Sequence, residues 1–140
     1  MSYLDIVLDT NVLFSGLFSQ KGSSYSLISE IGRKKFKVHV SVPLLFEYEE
    51  VMKRNQKELG LTGGEIDDVL DFICSVAIPH FLYFSWRPCL NDPDDEMLLE
   101  LAITADARYI VTHKIRHFKT IRGFNVRAIK PTDFLKLLEE

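Results

Sequence analysis

The sequence predicts a protein of the α/β class, with a parallel sheet covered by helices. Short apolar runs rich in β-branched residues alternate with segments of helical periodicity from one end of the chain to the other. Several helical segments also begin with recognisable N-terminal signals. No repeat, linker or low-complexity stretch interrupts this alternation, so residues 1–140 are expected to form a single domain.

The first half of the chain predicts two strands and three helices. Leu4–Leu8 is apolar apart from Asp5 and is typical of a buried strand, and a second strand is predicted at Lys37–Ser41. A helix is predicted between them, at Ser23–Lys35. The next helix begins near Pro43, and its apolar residues recur at helical spacing: Leu44, Leu45, Tyr48, Val51 and Met52. The third begins with a capping box, Thr62–Glu65, and runs to about Val76.

The second half predicts three strands and two helices. The strands are His80–Phe84, Tyr109–Thr112 and Asn125–Ile129, with a loop at Trp86–Asn91. One helix begins at Asp92-Pro93 and has an apolar stripe, and the last begins at Pro131. The residues of that stripe are Leu98, Leu99, Ala102 and Ile103. In parallel sheets, binding sites lie beyond the carboxyl ends of the strands.

The composition is that of an ordinary globular protein, with 46% apolar and 26% charged residues and a net charge of −3. No apolar run approaches the roughly 20 residues of a membrane-spanning helix. The N-terminal segment lacks the pattern of a signal peptide, so we expect a cytoplasmic protein without membrane contact. The two cysteines, Cys74 and Cys89, form no CxxC motif and are interpreted as unpaired thiols.

Positive charge is concentrated in two segments. Arg108–Lys130 contains lysine, arginine and histidine but no acidic residue, and Arg33–Lys37 is a shorter basic cluster. Such segments can guide a polyanion while an acidic pocket lies elsewhere. On charge alone, a solvated charged surface is the favoured interpretation.

Asp9 occupies an unexpected position. Apolar runs of strand-forming type, Ile6–Leu8 and Val12–Phe14, flank the polar tripeptide Asp9-Thr10-Asn11. A carboxylate among core residues is costly unless another group compensates it. Asp9 could satisfy backbone amides in an Asx turn, or it could belong to a site at the end of the first strand.

Two further acidic features follow. Glu47 lies at the flank of the apolar stripe on the helix from Pro43, where a surface acid near a helix start is also common. The stretch Asn91–Glu96 contains Asp92 as a candidate N-cap and more acids than capping needs. Carboxylates gathered near neighbouring strand ends cannot all ionise without a cation.

The residue types favour Mg²⁺ or Mn²⁺ as that cation, because both prefer carboxylate oxygens and water. Such a site could activate water for hydrolysis of a phosphodiester. Zinc is not favoured, because there is no cysteine cluster and the histidines share no ligand spacing. The histidines are His39, His80, His113 and His117.

Four segments together resemble the PIN-domain family, in order and in spacing. They read IVLDTNVLFSGL, SVPLLFEYEEV, DPDDEMLLELA and YIVTHKIRHF. The resemblance extends from Asp5 to about Leu138 and is closest to the bacterial branch of toxin–antitoxin toxins akin to VapC. It implies a three-layer α/β/α sandwich with a central parallel sheet of four or five strands. It also implies an Mg²⁺- or Mn²⁺-dependent endoribonuclease, with RNA as substrate, an antitoxin partner and a homodimer.

The resemblance implies that Asp9, Glu47 and Asp95 are the acids that hold the metal. Asp95 is preferred to Asp94 because Ala102 follows it at the family's usual distance. Further matches are Thr112, the threonine at the end of its strand, and Asn11, a polar partner near the metal. Asp92 and Asp94 are additional candidates for lining the site.

Lys114 departs from the family pattern, which usually has Asp or Asn two residues after the threonine. The lysine could replace part of the metal's charge, contact the scissile phosphate, or weaken metal binding enough to abolish catalysis. Arg116 and the basic segments are candidates for guiding the RNA backbone. Phe18 and Trp86 could stack on bases, but a protein interface or core packing is the favoured interpretation for each.

Two other classes of function remain open at this level. With Lys114 in the pocket, the protein could bind RNA or a partner without cleaving. Alternatively, Asp9 could be the nucleophile of a phosphoaspartyl enzyme. That chemistry usually has a second acid at position 11, where this chain has Asn11.

Overall fold

The computed structural model describes residues 4–81, 92–119, 121 and 125–139. These residues contain one five-stranded sheet in which all paired strands are parallel, in the order β3-β2-β1-β4-β5. The strands are β1 Leu4–Leu8, β2 Phe36–Ser41, β3 Ile78–His80, β4 Tyr109–Val111 and β5 Arg127–Ile129. Helices flank the sheet, and the predicted α/β/α sandwich of four or five strands is confirmed.

The helices in the described ranges are α1 Thr10–Phe18, α2 Ser23–Ser29, α3 Val42–Arg54, α4 Gln56–Leu59, α5 Gly63–Val76, α6 Pro93–Thr104 and α7 Pro131–Glu139. A 3₁₀ turn, Ile115–Phe118, follows β4. None of the helices in these ranges is both long and apolar enough to span a bilayer.

The predicted helix starts are found where local chemistry specifies them. Thr62 accepts a hydrogen bond from the Glu65 amide at 3.1 Å, and the Glu65 carboxylate accepts one from the Thr62 amide at 2.9 Å. Asp92 caps α6 by accepting a hydrogen bond from the Asp94 amide at 2.8 Å. Each contact satisfies an amide that the helix itself leaves without a partner.

The largest differences from the sequence prediction concern three elements. The strand-forming run Val12–Phe14 lies in helix α1, where Val12 and Leu13 are buried. The helix predicted at Ser23–Lys35 ends at Ser29, and the chain continues in turns. One of these turns places Gly32 at φ 86°, which glycine adopts without the steric cost that a side chain would bring.

The third difference is strand β3. It spans Ile78–His80, whereas the predicted strand begins at His80. The rest of the predicted strand beyond Phe81, and the predicted loop at Trp86–Asn91, lie outside the described residues, as does Cys89. Cys74 is a free cysteine and is exposed on α5.

Tyr48 fastens α3 to the end of β1. Its side chain is fully buried, and its hydroxyl donates a hydrogen bond to the carbonyl of Leu8. The next residue along the chain after Leu8 is Asp9, and the residue before Tyr48 is Glu47. The same contact that closes the core therefore brings these two acids to one edge of the sheet.

Tyr48→Phe should lower the free energy of unfolding by about 1–2 kcal/mol, because the buried Leu8 carbonyl loses this donor while the ring still fills its space. Urea denaturation of both proteins measures the difference. Tyr25→Phe is the matched control, since Tyr25 is 39% exposed. Equal stability of the two variants would contradict the role given to the Tyr48 hydroxyl.

Candidate functional site

The carboxyl edge of the central strands brings the predicted polar residues together. Asp9 directly follows β1, and Thr112 directly follows β4, its neighbour in the sheet. Glu47 lies on α3, which follows β2 without a break, and Asp95 lies on α6, which packs across β1, β2 and β4. Because parallel strands end at the same edge, side chains distant in sequence meet there.

Asp9 is 2% exposed, and its carboxylate is held by Thr112. The Thr112 hydroxyl donates to Asp9 Oδ2 at 2.7 Å and accepts a hydrogen bond from the Lys114 amide at 2.9 Å. Burial raises the pKa of Asp9, and the negative charge of Asp95 adds to the rise. The Thr112 hydrogen bond and the positive charge of Lys114 oppose it without cancelling it.

Glu47 is half-buried and is oriented by Thr10, whose hydroxyl donates to Glu47 Oε1 at 2.7 Å. Burial raises the pKa of Glu47, and the charges of Asp94 and Asp9 raise it further. Thr10 was not among the predicted site residues. Its position between Asp9 and Asn11 was the available signal, but the contact with Glu47 depends on the fold.

Lys114 lies between two of the acids. Its Nζ donates to Asp95 Oδ1 at 3.0 Å and is 3.9 Å from Asp9 Oδ2. Burial alone would lower the pKa of Lys114, but the hydrogen bond to Asp95 and the charges of Asp9 and Asp95 raise it. The ammonium group is therefore a cation within the acidic cluster.

His117 holds the other side of Asp95, which is 1% exposed. Its Nδ1 lies 2.7 Å from Asp95 Oδ2, so the two oxygens of Asp95 have different partners. In the described ranges, Asp92, Asp95 and His117 are the one group of three whose possible metal-ligand atoms, one from each, all lie within 4.8 Å of one another. The sequence does not predict this contact, because the spacing of His117 from the acids follows no ligand motif.

The remaining candidates lie around this centre. Asn11 Oδ1 accepts a hydrogen bond from the His113 amide at 3.4 Å. Asp94 is exposed in the first turn of α6, and Arg116 is exposed in the 3₁₀ turn, two residues after Lys114. Phe18 is 57% exposed, and Trp86 lies outside the described residues.

A cleft of about 410 Å³ opens beside the acids. Its wall combines carboxylates, an ammonium group, uncharged polar groups and two apolar side chains: Asp9, Thr10, Asn11, Phe14, Glu47, Val51, Asn55 and Lys114. Basic residues of the two predicted segments are exposed on the molecule, among them Arg33, Arg108, Lys119, Arg127 and Lys130. The cleft has the mixture of charged and polar groups that binds a phosphate ester together with a cation.

The donor set of Asp9, Glu47 and Asp95 fits a hard divalent cation. All three are carboxylates. The charge of Asp95 raises the pKa of Asp9, and the charge of Asp9 raises the pKa of Glu47, so a bound cation would relieve this repulsion. Lys114 already supplies one positive charge at Asp95 Oδ1. An ion that contacted both Asp9 and Asp95 would have to share this space with the ammonium group.

Acidification should stabilise the metal-free protein through Asp9 and Glu47. Burial raises both pKa values above the ordinary 3.8 and 4.5. Such a group stabilises the folded state fully below its ordinary pKa, and this contribution is lost as the pH rises through the raised pKa. The free energy of unfolding of the wild type, relative to Asp9→Asn/Glu47→Gln, should increase as the pH falls from neutral to roughly 4. Urea denaturation in chelator measures this difference, and a difference independent of pH would contradict it.

The fold and the site define an α/β/α protein with buried acids at the carboxyl edge of a parallel sheet. The chain belongs to the PIN-domain family: the family model described as PIN domain matches residues 5–116. No curated protein matches the chain.

Among solved structures, the chain is similar to one in the crystal structure described as VapBC2 from Rickettsia felis bound to a DNA fragment from their promoter. The TM-score is 0.63 at 17% sequence identity, and the match covers 91% of this chain and 98% of that chain. At this identity, the similarity establishes the shared fold.

Proposed function

We propose that this protein is a divalent-metal-dependent endoribonuclease that hydrolyses RNA phosphodiester bonds and acts as the toxin of a toxin–antitoxin pair. The observation that carries the proposal is the buried carboxylate of Asp9, gathered with Glu47 and Asp95 beside an open cleft in a PIN domain. Buried carboxylates with raised pKa values are costly for the fold alone and are typical of functional sites.

In this proposal Asp9, Glu47 and Asp95 hold Mg²⁺ or Mn²⁺. The bound cation supplies activation of water and stabilisation of phosphoryl charge during an in-line displacement. Thr112 fixes the Asp9 carboxylate and Thr10 fixes that of Glu47, so the oxygens are oriented before a ligand arrives. Lys114, which lines the cleft, lies beside Asp95 and Asp9 and would replace part of the positive charge that a metal brings.

The basic residues support RNA as the substrate, because exposed lysine and arginine neutralise backbone phosphates without reading sequence. Arg116, which is exposed two residues after Lys114, would contribute a further contact with the RNA backbone. The name of the similar structure, VapBC2, together with membership of the PIN-domain family, supports an antitoxin partner. We also propose a homodimer and a cytoplasmic location.

A second candidate function is binding of RNA or protein without cleavage. The observation that favours it is the ion pair of Lys114 with Asp95, which places a protein cation among the acids. In that case the acids would serve to anchor Lys114, and the exposed basic residues alone would bind the ligand.

Incubation of the purified protein with a generic single-stranded RNA and Mn²⁺ or Mg²⁺ tests the proposal. We expect cleavage that chelator abolishes, with 5′-phosphate and 3′-hydroxyl product ends. RNA binding without cleavage under either metal would favour the second candidate. Turnover of an aryl phosphate, with no RNA cleavage, would instead point to phosphoaspartyl chemistry at Asp9.

A further inference from the structure

We propose that Asp92, Asp95 and His117 form a binding site for a divalent transition-metal ion that accepts an imidazole ligand, in the series from Mn²⁺ to Zn²⁺. The site shares Asp95 with the proposed nuclease centre. It is otherwise made of residues that do not line the cleft. The inference rests on ligand geometry and does not require RNA cleavage.

The ligand atoms are close enough for one ion. His117 Nδ1 lies 2.7 Å from Asp95 Oδ2, and the three ligand atoms lie within 4.8 Å of one another. Two ligands at 2.0–2.2 Å from the same ion are separated by roughly 3–3.5 Å. The His117–Asp95 pair therefore needs to open by less than about 1 Å, a movement within reach of a side chain that is half exposed.

The fold holds both ligand segments in place. Asp92 is the N-cap of α6 and Asp95 lies one turn further, so both carboxylates emerge from the start of the same helix. The Asp92 carboxylate is already oriented by the Asp94 amide at 2.8 Å. His117 belongs to the 3₁₀ turn after β4, which is anchored by Phe118 at 4% exposure.

Lys114 separates this site from the cleft. Its ammonium group contacts Asp95 Oδ1, whereas His117 contacts Oδ2. An ion bound on the Oδ2 side therefore leaves the Lys114–Asp95 ion pair intact. Two carboxylates and a neutral imidazole balance the charge of a divalent ion. On the cleft side, Asp95 Oδ1 is already occupied by the ammonium group, whereas its Oδ2 faces a ring nitrogen that can itself be a metal ligand.

The imidazole decides the choice of metal. Mg²⁺ prefers an all-oxygen shell, whereas the later divalent ions accept a ring nitrogen as well as carboxylates. The set of two carboxylates and one histidine also leaves coordination positions for water or a ligand. We therefore expect Mn²⁺ and Zn²⁺ to bind more tightly than Mg²⁺.

Metal binding is measured without RNA. Wild type and three variants, His117→Gln, His113→Gln and Glu47→Gln, are titrated separately with Mn²⁺, Zn²⁺ and Mg²⁺ while thermal unfolding is followed. Pulsed EPR of bound Mn²⁺ then reports whether an imidazole nitrogen is a ligand. His113 is the matched control, because it is a nearby histidine whose ring contacts Ser24 at 3.1 Å.

We expect His117→Gln to remove the nitrogen signal and to weaken Mn²⁺ binding by about 10–100-fold or more. That is the usual effect of replacing a residue that only hydrogen-bonds a metal ligand, and loss of the ligand itself should cost at least as much. His113→Gln should retain both the signal and the affinity. Because His117 is exposed, its replacement should leave the fold intact, and the metal-free melting temperature checks this.

Two results would overturn the inference: a Mn²⁺ complex without a nitrogen ligand, or unchanged affinity in His117→Gln. If Glu47→Gln is instead the variant that loses the ion, the metal lies in the cleft among the three acids. Failure of RNA cleavage alone would contradict the proposed nuclease and leave this site standing.

Discussion

Asp9→Asn should abolish RNA cleavage while leaving the folded protein at least as stable as the wild type. The ionised carboxylate is buried at a cost, which its raised pKa records, so a neutral amide removes that cost. The amide oxygen can still accept the hydrogen bond from Thr112. What is lost is one charged ligand for the cation, worth several kcal/mol and therefore on the order of 10²-fold or more in rate.

The two measurements are the rate of RNA cleavage with Mn²⁺ and the free energy of unfolding in chelator. Asp68→Asn is the matched control: it makes the same change at an exposed position on α5 and should alter neither quantity. Cleavage at the wild-type rate by Asp9→Asn would remove Asp9 from the catalytic machinery. A large loss of stability would show that the carboxylate is needed by the fold itself.

Lys114→Asp should retain or increase RNA cleavage and should make the folded state depend on metal. Without its ammonium partner, buried Asp95 keeps only His117, and the new carboxylate adds repulsion near Asp9. Because Lys114 is partly exposed, we expect a loss of about 1–3 kcal/mol in chelator. A divalent cation should then replace the lost charge and recover most of that stability.

Thermal unfolding with and without Mn²⁺ measures how far the stability of Lys114→Asp depends on metal. The rise in melting temperature on adding Mn²⁺ should be larger in Lys114→Asp than in the wild type. Lys114→Met separates loss of the ammonium group from gain of an acid. Lys119→Asp repeats the change of charge at an exposed position of the same basic segment. If Lys114→Asp abolishes cleavage while binding Mn²⁺ tightly, the lysine takes part directly in the reaction.

Helix caps and the alternation of strands and helices were predictable, because they depend on residues that are close in sequence. The capping box at Thr62–Glu65 and the cap at Asp92 each depend on atoms within three residues, and both were placed correctly. The parallel sheet followed from the alternation of apolar runs and helical segments. These signals are local, so no knowledge of the folded chain was needed to use them.

Helix α1 was missed for a definite reason. Its N-cap residue is Asp9, but the Asp9 side chain makes no capping hydrogen bond, and the first turn contains no acid. The carboxylate is directed to Thr112 instead. Because the Asp9 side chain binds Thr112, it gives no capping signal for α1. Val12–Phe14 therefore resembles a strand in the sequence.

Contacts between distant segments could not be predicted from spacing. The resemblance to the PIN-domain family implied that Asp9, Glu47 and Asp95 share one site, and the fold brings them to one edge of the sheet. It did not indicate that Thr10 would hold Glu47 or that His117 would hold Asp95, because those pairs depend on how α3 and the 3₁₀ turn pack. Likewise, the position of Lys114 between two acids is a property of the tertiary structure.

The hydrogen bond from Thr112 to Asp9 joins residues 103 positions apart, between two central strands of the sheet. During translation, Asp9 is therefore made long before Thr112 and Lys114. A ribosome carries a nascent chain whose acidic centre cannot assemble until β4 and the residues after it have been made. For a protein that would cleave cellular RNA, the order of the strands by itself delays activity until both strands are present.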